Sequence, residues 1–541
     1  MSNTHKYIIV GSGPSGAMAA QTLVEAGKQV VMLDVGEKDE KYSKIVPDKD
    51  FENIRKEEKG QKKYLLGDDF EAIPWDDVKV GAQLTPSRKS MIRNVSKFTP
   101  IVSDNFFPME SLGYGGLGSG WGLGSYVYSD KEIEKVGLNS EAMKIAYQNV
   151  ADRIGLSVAN DDVTKFVVGD LKNLQQPLKM DNSTQKLFNS YNKKKSKFNK
   201  KNIYFGIPSM AFLSEDFKNR KKTSYNDMDF YSDKEKAAYR SWITVDELKT
   251  KNNFQYIDKC LMLKFEEKEN IVNVEVKRTD TGEIKVFKCR KLLLATGALA
   301  TARIVLRTFD KKISRLPLLC NPYAYMPCIY LKMLGKPLSR FKTSMAQALM
   351  IYDVTGKHDD LVTTTFYTYR SLMLFKLIKE APLNFVDGRI IMQYLQSAFV
   401  IAGIHHPDKP SQEKYLELQK SPNSFTGDKL FAHYSLDKND ISEIAKREKT
   451  IKHYLRKISC FPIKRMDPGY GSSIHYAGTI PFSDDENKFG TTHPSGKLNG
   501  TKNVFIADGS GFKYLPAKGI TLSLMANAHN VAKGIIENNK N

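Results

Sequence analysis

Apolar positions near the start of the chain come in unbroken runs. Tyr7-Ile8-Ile9-Val10 and Val30-Val31-Met32-Leu33 show no polar alternation, which predicts two strands covered on both faces, as in a parallel sheet. Between them Ala17, Ala20, Leu23 and Val24 fall on one face at helical period, and Gly27 is placed to end that helix. From Asn253 the period changes to two. Phe254-Tyr256, Leu263-Phe265, Val272-Val274-Val276 and Ile284-Val286, with a turn at Thr279 to Gly282, predict a small β-meander. Lys291 to Ala300 predicts a buried strand, a small-residue turn and then a helix from Ala302 to Leu306. Further strands are expected at Met345–Tyr352, Leu361–Tyr369, Ser397–Ile404 and Asn503–Ala507. Helical stretches are expected at Tyr323–Leu334 and Leu372–Ile378, and a last amphipathic helix at Thr521–Ile536. Asp130–Leu156 reads as a helical connection, while Asp161 to Arg240 is polar and carries no clear period.

The junction of the first strand and helix carries chemistry. Gly11-Ser-Gly13-Pro-Ser-Gly16 has the GxGxxG spacing, in register with strand, helix, strand and Asp34. Gly11 permits the tight turn, Gly13 lets the backbone approach a pyrophosphate, and Gly16 lets helix and strand pack closely. The helix N-terminus then faces the phosphates, and Asp34 stands where an acid holds a ribose hydroxyl. A second glycine-rich stretch, Asn105 to Tyr126, carries Gly113, Gly115, Gly116, Gly118, Gly120, Gly122 and Gly124 around Trp121. So many glycines cannot form a regular element. With Phe106, Phe107, Trp121 and Tyr126 among them they suit a backbone wrapped round a flat ligand better than a flexible linker.

At 541 residues the chain exceeds one hydrophobic core, so two or more domains are expected. Lys+Arg 82 against Asp+Glu 61 gives a net charge of +21. A polyanionic partner would explain that excess, but the lysines are scattered among Asn, Glu and Asp, which favours a solvated basic surface. No basic helix or aromatic platform points to nucleic acid. The aromatic and Lys-containing stretches with Tyr330, Met333, Phe341, Leu372, Phe375 and Lys376 suit a membrane interface or, more simply, core and pocket wall. Five cysteines with no CxxC point to a reducing compartment and away from a metal cluster. With no signal-type or transmembrane-length run, the expected location is the cytoplasm, at most peripheral to the inner face of the membrane.

Four separated blocks resemble the glucose–methanol–choline (GMC) family of FAD-dependent oxidoreductases. GSGPSG with Asp34 is similar to the family's ADP-binding unit, although the family more often has Glu at that acid. Gly115-Gly116-Leu-Gly-Ser119-Gly120-Trp121-Gly122 resembles its flavin loop, in a form that looks like members associated with polysaccharide biosynthesis. Leu292 to Arg303, with Ala295 and Gly297, is similar to a third segment. His475-Tyr-Ala-Gly-Thr479, Asp508-Gly509-Ser and Thr521–Ala526 resemble the C-terminal signature. The implied fold class is α/β (α+β overall). A Rossmann-like FAD-binding domain is discontinuous over residues 1–130, 226–316 and 459–541, and a largely antiparallel-sheet substrate domain is formed from 131–225 and 317–458.

The resemblance implies FAD as cofactor, held by these glycine blocks with Asp34, Ala295, Gly297, Asp508 and Gly509. It also implies that Gly519, Ile520 and Thr521 aim the last helix's dipole at the flavin. His475 would be the general base beside flavin N5, taking a hydroxyl proton while hydride passes to the flavin. The family's second catalytic His or Asn falls at Gly519. Either the neighbouring Lys518 supplies that polar group, or His405, His406 or His433 does so from the substrate domain. His529, in mid-helix, reads as structural. The expected activity is oxidation of an alcohol group on a sugar, nucleotide sugar or lipid-linked sugar, without a metal and with the electron acceptor open. The alternatives are a redox-neutral flavin-dependent isomerase or epimerase acting through a transient ketone, and a non-catalytic flavoprotein partner.

Overall fold

The structure, a computed structural model, describes residues 4–72, 84–368 and 384–538. The helical stretch expected at Leu372–Ile378, and with it Leu372, Phe375 and Lys376, lies outside the described residues. The chain opens with strand β1 (Thr4–Val10), helix α1 (Pro14–Glu25) and strand β2 (Val30–Leu33). β1 pairs in parallel with β2 on one side and with the end of the long strand Ile284–Leu294 on the other. Phe254–Ile257 extends this sheet beyond β2, and Val504–Ile506 pairs in parallel with Ile284–Leu294. The apolar runs are buried because helices and a second layer cover both faces. Pro14 starts α1 with the fixed φ a first turn needs. Gly27, at φ 72°, ends it in the left-handed region.

The meander consists of Cys260–Lys268, Ile271–Arg278 and Ile284–Leu294, paired antiparallel. Phe254-Tyr256 does not belong to it. Those residues form a parallel edge on β2, tied there by the Asn253 amide, which donates to the carbonyls of Val24 and Lys28 at 3.0 Å.

A second sheet, antiparallel throughout, has the order Cys460–Pro462, Tyr323–Tyr330, Phe399–His405, Leu361–Thr368, Ala348–Asp353, Ile203–Gly206. The strands expected in this region are present. The helix expected at Tyr323–Leu334 is instead the strand Tyr323–Tyr330, alternating between half-buried and buried side chains. Both of its faces carry aromatic or apolar residues, so the sequence hides its period of two. Pro327 in its middle would have broken a helix. A third sheet of four short strands includes Lys414–Lys420 and Asp428–Tyr434. Its Leu416, Leu430 and Ala432 share a core with Ile8 and Val10, so this part of 317–458 packs with the dinucleotide half.

Candidate active site

One cavity of about 1080 Å³ runs from the end of β1 to the face of the antiparallel sheet. At one end are Gly11, Ser12, Gly13 and Asp34. Gly11 has φ 101°, and a Cβ there would meet the Ala295 carbonyl oxygen at 2.5 Å. A Cβ on Gly16 would lie 1.9 Å from the Gly11 oxygen. An added Cβ on Gly13 meets nothing within 4 Å. Of these three glycines only Gly13, at the start of a helix, faces open space, which is the cradle a pyrophosphate fits. Asp34 accepts from Ser12 Oγ and, at 3.0 Å, from the Tyr256 hydroxyl. Burial pushes its carboxyl up to about 6, against the pull of those two bonds.

The glycine-rich stretch is a wall of the same cavity, not a linker. Gly116 (φ 57°) packs so closely that a Cβ would sit 3.2 Å from Gly13 Cα, and one on Gly118 would meet Pro14 Cγ at 2.8 Å. Gly115 N–H donates to Ser12 Oγ (2.8 Å), its carbonyl accepts from Ser241 Oγ (2.6 Å), and Ser119 Oγ donates to the Tyr114 carbonyl (2.7 Å). Trp121 donates its indole N–H to the Tyr239 carbonyl at 2.8 Å, which fixes the ring where it lines the cavity with Gly116, Gly120 and Gly122. Gly16, Gly115 and Ser119 stand one layer behind the lining and hold it in shape.

Ala295, Gly297, Asp508 and Gly509 meet at the cavity although they come from distant blocks. Both Asp508 carboxylate oxygens are engaged inside the protein. One accepts from Gly297 N–H (2.9 Å) and Thr301 Oγ1 (2.6 Å), the other from Ser510 N–H (3.0 Å) and Ser510 Oγ (2.6 Å). Asp508 therefore clamps the Gly297 turn to the C-terminal strand. Gly519, Ile520 and Thr521 open the last helix, Thr521–Asn538, onto the cavity.

The other end of the cavity holds His475. A two-stranded ribbon pairs Cys320 with Tyr476 and Leu319 with Ala477, so Asn321 comes to lie opposite His475. His475 Nδ1 is 3.0 Å from Asn321 Oδ1. The Asn321 amide nitrogen donates to the carbonyls of His406 (2.8 Å), Pro516 (3.0 Å) and Leu515 (3.3 Å). Its oxygen is thereby fixed as an acceptor, Nδ1 must carry the proton, and Nε2 keeps its lone pair. Burial pushes the His475 imidazole down from 6.5 to about 4, so it is neutral at pH 7. Ile474, just before it, sits at φ 61°, a costly conformation for a β-branched residue and one found where a site over-determines its backbone. His405 stacks on His475 with ring centroids 5.3 Å apart, and burial holds it well below the usual histidine range.

Lys518 is not part of this constellation. Its ammonium is buried against Glu132 (2.6 Å) and the Val127 carbonyl (2.9 Å), away from the cavity lined by Ala517 and Gly519 on either side of it. His406 is buried 3.6 Å from Glu448, and His433 pairs with Glu413 at 3.4 Å. Of the three alternatives only His405 lines the cavity. His529 bonds Thr22 Oγ1 at 2.8 Å, a structural place. Asn321 was not foreseen, nor were Tyr323, Tyr325, Tyr367, Thr363 and Thr365, which wall the cavity near His475.

Residues 4–46 match a family described as "FAD binding domain". Among solved structures, the pyridoxine 4-oxidase from Mesorbium loti covers 99% of this chain and 99% of its own at 12% identity, with a TM-score of 0.59. No curated protein sequence matches. The chain opens on an FAD-binding unit, and its overall fold is like that of the oxidase.

Proposed function

We propose that this protein is an FAD-dependent oxidoreductase that oxidises an alcohol group, with His475 as the base. The observation that carries this reading is a neutral imidazole with one nitrogen pinned to Asn321 and the other left as an acceptor, in the cavity that begins at the pyrophosphate turn. FAD, when bound, supplies the hydride acceptor. His475 Nε2 takes the substrate's hydroxyl proton, and Asn321 Oδ1 keeps its bond to Nδ1–H and stabilises the resulting positive charge. His405, stacked alongside, offers a second imidazole to hold the substrate oxygen. The likeness to a pyridoxine 4-oxidase supports the oxidase-type reading.

The substrate is a sugar or glycan precursor in this proposal. Tyr323, Tyr325 and Tyr367 offer ring faces, while Thr363 and Thr365 donate their hydroxyl protons to the carbonyls of Ala517 (2.8 Å) and Gly403 (3.3 Å). Those threonines present lone pairs, which accept from substrate hydroxyls. A role in polysaccharide synthesis rests on the glycine-loop resemblance. Anaerobic flavin bleaching by a panel of sugars, nucleotide sugars and simple alcohols tests the reading. One class should bleach the wild type, and His475→Ala should retain FAD yet bleach roughly 10²- to 10⁴-fold more slowly. Bleaching at the wild-type rate in that variant would remove His475 from the reaction.

A further inference from the structure

The antiparallel sheet continues beyond the cavity. Along Tyr323–Tyr330 the odd-numbered side chains share the cavity-side face. Tyr325 lines the cavity, and Met466 beside it does too. Ile329 pairs directly with Phe461 and so shares its face, and Ile463 N–H donates to the Pro327 carbonyl at 2.8 Å. Phe461 and Ile463 are 40% and 63% exposed. An apolar track therefore leads from inside the cavity to the surface.

At its outer end the helix Phe385–Leu395 turns Val386, Ile390 and Tyr394 to solvent, at 65%, 58% and 61% exposure. Residues spaced by four on a helix lie on one stripe. Gly335 N–H donates to the Tyr394 carbonyl (3.1 Å) and Leu331 N–H to the Ser459 carbonyl (3.2 Å). Those two bonds set the helix end and the exposed Leu331 beside the Phe461 strand, and their exposed apolar side chains together make up the patch considered for docking. Exposed Lys332, Lys336, Arg389, Lys457, Lys464 and Arg465 neighbour these residues in the chain, as do the exposed acids Asp387 and Asp467, the latter paired with Arg465 at 2.9 Å.

We propose that this patch docks the protein onto an anionic lipid bilayer, with the cavity mouth against the headgroups. Aliphatic and aromatic side chains with neighbouring Lys and Arg are the composition of an interfacial surface, and these basic residues complement anionic headgroups. A protein partner fits less well, because lysine is depleted from protein–protein interfaces. Among the described residues no helix is long and apolar enough to cross a membrane, so the contact is peripheral.

The test is cosedimentation of FAD-loaded protein with phosphatidylcholine vesicles, with and without phosphatidylglycerol. Binding should require phosphatidylglycerol, weaken as salt rises, and fall roughly tenfold or more in the double variant Ile390→Asp/Ile463→Asp as the buried aliphatic area is lost. FAD content and melting temperature should not change, since both positions are exposed. Failure of the wild type to bind overturns the proposal. So does equal binding by the double variant, which would assign the affinity to scattered lysines. Self-association that the double variant abolishes and vesicles do not compete with would assign the patch to a second copy of the chain instead.

Discussion

The Asn321 amide nitrogen donates to three backbone carbonyls, which leaves its oxygen one task, and that task selects the tautomer of His475. Replacing Asn321 by Ala should release the imidazole to rotate and change tautomer. The expected result is a fall in kcat of about ten- to a hundredfold per bound FAD, with KM little altered. The orphaned carbonyls should also cost roughly 1–3 kcal/mol of stability. Steady-state kinetics normalised to flavin absorbance separate the two effects, because a merely structural role would lower stability and flavin content and leave kcat per flavin intact. Asn321 lies 154 residues from His475, and only the Leu319–Cys320 ribbon brings them together, so no spacing in the chain announces it. Lys518 illustrates the converse. It stands next to Gly519, but the direction of its side chain was decided by the buried Glu132, a partner 386 residues away.

The first βαβ element was legible because its signal is local: every glycine's task is set by neighbours within the same turn or by the strand next to it. That gives two glycines opposite fates on substitution. A Cβ on Gly13 enters open cavity, so Gly13→Val should fold with an unchanged melting temperature yet bind FAD on the order of tenfold or more weakly. A Cβ on Gly16 collides with the Gly11 carbonyl at 1.9 Å, so Gly16→Ala should lose roughly 1–3 kcal/mol or fail to fold. Thermal melts with FAD titration decide, and equal behaviour of the two variants would remove the distinction. Elements set by distant partners were read less well. Tyr323–Tyr330 is a strand because Phe399–His405 and Cys460–Pro462 flank it; within the segment the signs are its tyrosines, Ile329 and the helix-breaking Pro327, and they are masked by the apolar residues on both faces. Phe254–Ile257 has a strand's composition, but β2 chooses its sheet.

At the scale of the whole molecule, the two ends of the chain are fastened together through His529. It sits on the last helix, accepts Thr22 of α1 as a partner at 2.8 Å, and lies 3.3 Å from Arg153 Nη1 on the helix Ser140–Ile154. Burial, then the charges of Arg153 and Lys533, push its imidazole down from 6.5 to about 4. The folded state therefore keeps His529 neutral, while the unfolded chain binds a proton there below about 6.5. Its contribution to stability is complete above that pH and is lost as the pH falls from 6.5 towards 4. Asp34 acts the other way, because its carboxyl is raised from 3.8 to about 6 and the folded state takes up a proton first in that range. The raw pH profile mixes the two signs, and a variant isolates one of them. His529→Gln retains a hydrogen-bonding group for Thr22 but does not titrate. Between about pH 7 and pH 5 its melting temperature should fall by less than that of the wild type, in FAD-loaded protein. Parallel slopes would mean that the interface between first and last helices does not exclude the proton, and that acid sensitivity enters through the buried imidazoles at the active site instead.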